Sequence, residues 1–171
     1  MLVLILFIYL VLIFSLQTTL LGLFSFGGIT PDLALILTVY CATLLKENGG
    51  IAMGFGLGFV QDCLSGGILG INTLSKSLIG FTFATLKSKL VVEGFVPIAA
   101  FLFVSSIIDG LLYHVASLIL FKSETPWGAL FSNLLIFAIY NALIGPVLFY
   151  FMNKNKNWLI RRFSKMEKSS L

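Results

Sequence analysis

The feature that most constrains this chain is its blocking: long apolar runs follow one another, separated only by short turns of glycine, proline, asparagine and charge. Where no water is at hand, a backbone must satisfy its own N–H and C=O groups, so apolar runs of this length cross a bilayer as helices. A hydrocarbon layer about 30 Å thick takes ~20 residues per crossing. A chain of 171 residues therefore has room for about six crossings and little else. Composition agrees, since 58% of the residues are hydrophobic and only 11% are charged, with a mean hydropathy of +1.05. That is too little polarity to clothe a soluble domain.

The breaks between runs predict spans over residues 2–24, 32–45, 51–64, 72–86, 95–121 and 130–152. Phe26-Gly27-Gly28-Ile29-Thr30-Pro31 ends the first, and Pro31 suits the first turn of the second because its missing N–H would be unpaired there anyway. Lys46-Glu47-Asn48-Gly49-Gly50 reads as a polar hairpin, and residues 65–70 as a loop or re-entrant corner. Gly145-Pro146 falls inside the last run, where a kink is expected, and Trp127 precedes that run where an indole sits at headgroup level. The first run has no basic leader and no Ala-x-Ala site, so it reads as a retained span and not a signal peptide. The expected fold is an all-α integral membrane protein of about six transmembrane helices in one bundle. Residues 1–152 form the membrane domain and residues 153–171 a basic tail.

Charge placement orients the bundle. With both termini cytoplasmic, one side carries Lys46, Lys87, Lys89, Lys154, Lys156, Arg161, Arg162, Lys165 and Lys168, against Lys122 alone on the other. That asymmetry is the positive-inside pattern of an even number of spans in a bacterial inner membrane. In the tail, Lys154, Lys156, Arg161, Arg162 and Lys165 alternate with Trp158 and other apolar side chains, a composition that can lie on anionic membrane lipid. An ordinary positive-inside stop explains the same residues, and a docking site for a cytoplasmic partner is the sharper reading. Nucleic acid is not an expected partner at a net charge of only +4.

The polar residues within the runs need partners, because an ionisable group at a transmembrane helix centre costs ~2.5 to 3.5 kcal/mol on insertion scales. Gly50, Gly54 and Gly58 are spaced four apart, which makes a flat ridge for close helix approach, with Asp62 next in the row. Asn72 and Lys76 share a face of the fourth span, while Ser105, Asp109, Tyr113 and Ser117 form a stripe along the fifth. Asn133 and Asn141 lie on the sixth. The expectation is a network of Asp62, Asn72, Lys76, Asp109, Tyr113, Asn133 and Asn141, in which Lys76 pairs with Asp62 or Asp109 and Asn133 and Asn141 close it between helices. Such a cluster either fixes helix register or marks a ligand or proton path.

Catalytic chemistry is not encoded. His114 is the sole histidine, Cys41 and Cys63 have no ligand spacing, and neither intramembrane-protease motifs nor a phosphate-cradling glycine loop occurs. No cofactor is expected.

The ordered landmarks Pro31-Asp32-Leu33, Gly50-x-x-x-Gly54-Phe55-x-x-Gly58-x-x-x-Asp62, Gly66-Gly67-x-x-Gly70-x-Asn72, then Leu74 and Gly80, resemble those of the rod shape-determining MreD family. The motifs cover about residues 30–90, and the length, six-span layout and basic tail extend the likeness over the whole chain. The resemblance implies a non-enzymatic subunit of the cell-wall elongation machinery. Its partners would be a single-span MreC-like protein and, through it, peptidoglycan synthases and MreB filaments. The architecture is also similar to that of the substrate-binding subunits of energy-coupling-factor vitamin transporters, which form the alternative reading. Those subunits are expected to dock through small residues on the first helix, yet residues 2–14 contain no glycine, alanine or serine.

Overall fold

The structure, a computed structural model, describes residues 28–66, 69–86, 94–122 and 126–154. The expected first span and the tail beyond Lys154 lie outside the described residues. Five helices fill the rest: α1 (Leu33–Leu44), α2 (Glu47–Ser65), α3 (Ile71–Leu86), α4 (Phe95–Phe121) and α5 (Trp127–Lys154). They correspond to the second to sixth apolar runs. Among the described residues, α4 and α5 are the helices long and apolar enough to cross a membrane. The 12 residues of α1 rise only about 18 Å, while α2 and α3 carry glycines and polar groups that lower their hydropathy.

Local chemistry moves two of the expected boundaries. Pro31 stands before the helix and not in its first turn, because Asp32 takes the cap, its Oδ1 accepting from the Leu35 N–H at 3.0 Å. The expected 46–50 hairpin shrinks to a link at Leu45 and Lys46. Glu47 sits in the first turn of α2, where a carboxylate suits the helix dipole, and the Gly50 N–H bonds to the Lys46 carbonyl at 2.8 Å. Gly66, at φ 62, ends α2 in the left-handed cap that glycine favours. At the far end of the chain, α5 continues unbroken through Pro146.

α1 is the centre of the bundle. Ala34, Leu35, Ile36, Thr38, Val39, Tyr40 and Ala42 are all buried, so it is covered around most of its circumference, as expected of a helix apolar on every side. Leu35, Ile36 and Val39 pack with Ile79 and Phe83 of α3, Leu102 of α4 and Phe149 of α5. Tyr40 meets Phe149 edge-on at a centroid distance of 5.0 Å, and Phe83 meets Phe101 at 5.3 Å. Thr38, Ser105 and Ser106 return their hydroxyls to carbonyls one turn back, which satisfies them without water. Large apolar side chains such as Phe55, Leu74, Leu78, Ile119 and Tyr150 point outward, as a lipid-facing surface requires.

Successive helices run antiparallel. In the α2–α3 seam Gly50 abuts Gly80 and Ala84, Gly54 abuts the Lys76 carbonyl, and Gly58 abuts the Asn72 carbonyl. The glycine row is thus matched by a second row four residues apart, at Asn72, Lys76, Gly80 and Ala84, and the two backbones touch. A Cβ on Gly50 would stand 2.5 Å from the Gly80 oxygen, closer than any real side chain sits. The ridge is occupied within the subunit.

Candidate functional site

The polar residues gather where α1 begins, α2 ends and α3 begins, with α4 and α5 alongside. Lys76, fully buried on α3, is the hub. Its Nζ lies 3.0 Å from Asp32 Oδ2 and 3.4 Å from Asp109 Oδ1, and it donates to Asn72 Oδ1 at 3.0 Å. Three acceptors thereby meet the three protons of one ammonium. Asp32 Oδ2 also accepts from Gln61 Nε2 at 3.0 Å, and the Asp32 N–H donates to Asn141 Oδ1 at 2.8 Å. Asn141 Nδ2 in turn donates to Ser106 Oγ at 2.9 Å. The Ser75 hydroxyl donates to Asp109 Oδ1. One connected set of hydrogen bonds therefore ties all five described helices together.

Asp62 joins that set only through Asn72. It does not pair with Lys76; its carboxylate turns to the next helix and accepts from the N–H groups of Gly70, Asn72 and Thr73 at 3.0, 3.1 and 2.9 Å. The Asn72 amide and the Thr73 hydroxyl add bonds of 3.0 and 2.6 Å. The first N–H groups of any helix lack intrahelical partners and favour negative charge, and here the preceding helix supplies both acceptor and charge. Gly70, at φ 96, turns the chain so that these donors converge on Asp62. Asn72 links the two arrangements, donating to Asp62 and accepting from Lys76.

Tyr113 and Asn133, expected in the Lys76 network, stand elsewhere. Both line a cleft of about 420 Å³ between the C-terminal half of α4 and the N-terminal half of α5, with His114, Ser117, Leu130, Leu134 and Phe137. Asp109 closes its inner end and so belongs to both places. Tyr113 lies one turn from Asp109 and Asn133 two turns from Asn141, and both are exposed, whereas the network is buried. Among the described residues no three His, Cys, Asp or Glu side chains are grouped to hold a metal ion. Cys41 and Cys63 are free thiols.

Four members of the network escaped the sequence reading: Asp32 as an ion partner, Gln61, Ser75 and Ser106. Asp32 stood in the sequence only as a landmark at the start of the second span. Gln61 did carry a signal, as an amide in an apolar run beside Asp62. Of the landmark residues, Pro31 is buried beside Asp32, and Gly66 and Gly70 make the α2–α3 turn. Lys154 closes α5, whereas Lys156, Trp158, Arg161, Arg162 and Lys165 lie outside the described residues.

Residues 1–155 match the family described as rod shape-determining protein MreD. No curated protein and no solved structure matches the chain. With nearly the whole sequence matched, from the first apolar run to the end of α5, this chain belongs to the MreD family of rod shape-determining membrane proteins.

Proposed function

We propose that this chain is a non-enzymatic scaffold of the cell-wall elongation machinery, holding an MreC-like single-span protein and, through it, peptidoglycan synthases and MreB filaments. The observation that carries the reading is the family match over residues 1–155. The site chemistry supports it: the membrane-depth charges and amides are engaged in ties between helices, as a rigid platform needs, and not arrayed as a nucleophile with a base. The bundle sits in the bacterial inner membrane as six spans with both ends cytoplasmic. Lys46, Lys87, Lys89 and Lys154 then mark the cytoplasmic face, and the basic tail lies on anionic lipid facing the filaments.

With the glycine ridge engaged inside the subunit, a partner span must use the outward apolar faces. The test is depletion in rod-shaped cells with pull-down of the tagged chain. Rounding of the cells and recovery of a single-span coiled-coil partner are expected. Unchanged shape overturns the proposal. The cleft between α4 and α5 favours a second reading, the substrate-binding subunit of a vitamin transporter, for which depletion would abolish vitamin uptake and leave shape normal.

A further inference from the structure

We propose that the cleft between α4 and α5 binds a protonated primary amine carried on an apolar body, with Asp109 as its counter-ion. The argument starts from charge. Asp32 and Asp109 share the ammonium of Lys76, so among the described residues two carboxylates face one cation in the protein interior. An uncompensated charge at that depth is costly unless something pairs with it.

The two carboxylates are not equivalent. Asp32 has the shorter contact to Lys76, 3.0 Å against 3.4 Å, and adds the Gln61 amide and the Leu35 N–H. Asp109 has the longer contact and the Ser75 hydroxyl, both on Oδ1. The surplus charge therefore falls on Asp109, which is also the one that reaches the cleft.

The cleft suits such a ligand in size and lining. Its volume of about 420 Å³ lies within the ~300–1,000 Å³ of small-molecule sites. Tyr113 and Phe137 bring aromatic rings to the lining, Asn133 brings an amide, and Leu130 and Leu134 suit an apolar body. Ile29 also lines the cleft, which lies at the end of α4 and the start of α5, the opposite end of the bundle from Lys46 and Lys154. Two sources share this chemistry: the headgroup of an aminophospholipid entering from the bilayer, and a free arylalkyl amine entering from water.

The test uses the full chain purified in detergent and in nanodiscs. Phenethylamine is titrated by calorimetry against its neutral analogue phenethyl alcohol. Thermal unfolding is compared in nanodiscs of phosphatidylethanolamine and of phosphatidylglycerol alone. Saturable binding of the amine but not the alcohol identifies a free amine, and higher stability in phosphatidylethanolamine that is lost in the variants identifies the lipid. Asp109→Asn removes the counter-ion, and Asn133→Trp fills the cleft from the exposed side of α5 without touching the Lys76 contacts. Each is expected to weaken phenethylamine at least tenfold or to erase the lipid preference. Absence of both amine binding and lipid preference in the native chain overturns the proposal, as does undiminished binding in a folded Asn133→Trp variant.

Discussion

The α2–α3 and α4–α5 seams are both antiparallel helix pairs, yet one is closed backbone to backbone and the other holds a cleft. Along α2–α3, three glycines four residues apart each meet backbone atoms of the opposite helix. Along α4–α5 the glycines stand singly. Gly110 meets the tip of Leu134 and Gly145 meets the tip of Leu102, and the C-terminal half of α4 and the N-terminal half of α5 line the cleft. Backbone against backbone leaves no slack, whereas backbone against a leucine tip leaves a rotamer free to move. The closed seam fixes the framework, and the open one provides space.

The sharpest way to break this division is at the residue between them. Lys76→Met should destabilise the bundle by about 3–5 kcal/mol, because it leaves Asp32 and Asp109 buried without a cation. Reversible unfolding in mixed micelles measures this, and a loss below about 1 kcal/mol would mean that the ion cluster contributes little to assembly. Asp109→Asn should cost less than Asp32→Asn in the same assay, since it removes the surplus charge and leaves Lys76 its closer partner. Equal losses would contradict the assignment of the surplus to Asp109.

Next in size is a pair of alanine substitutions. Gly54→Ala should cost about 1–3 kcal/mol, since its methyl group runs into the Lys76 carbonyl and the two backbones must part. Gly110→Ala should cost less than Gly54→Ala because the Leu134 tip can turn aside. Gly56, with nothing within 4 Å of an added Cβ, is the control; Gly56→Ala should leave stability equal or raise it by a few tenths to about 1 kcal/mol. If Gly54→Ala and Gly56→Ala behave alike, the seam is not closed as described.

The most local effect concerns the link between α2 and α3. Asp62→Asn keeps one acceptor but presents an amide N–H to a cluster of five donors, at a cost of about 1–3 kcal/mol. Amide exchange at Gly70, Asn72 and Thr73 should accelerate, while exchange in α4 and α5 stays as before. Exchange that rises evenly across the chain would mean that Asp62 supports the whole bundle and not this turn.

Much of the molecule was legible before any coordinates. The apolar runs placed α1 to α5 to within a few residues, because in an apolar solvent the backbone has no alternative to the helix over such lengths. The glycine ridge was legible as a packing face, because spacing by four puts residues on one side of a helix wherever that helix lies. The tie between Lys76 and Asp109 stood among the sequence's expectations for the same reason: few charges occur at that depth, and each needs a partner.

What the sequence by itself determined is the kind of protein this is: a helical membrane chain whose small and ionic residues face inward, with the landmarks of the MreD family. Tertiary structure alone decided which inward residues meet. Asp32 reaches Lys76 across 44 positions of sequence, Asp62 turns to the N–H groups of α3, and Tyr113 and Asn133 leave the network for the cleft. Periodicity assigns a residue to a face of its own helix. How far two helices approach depends on the side chains standing between them, and those become known only once the helices are packed.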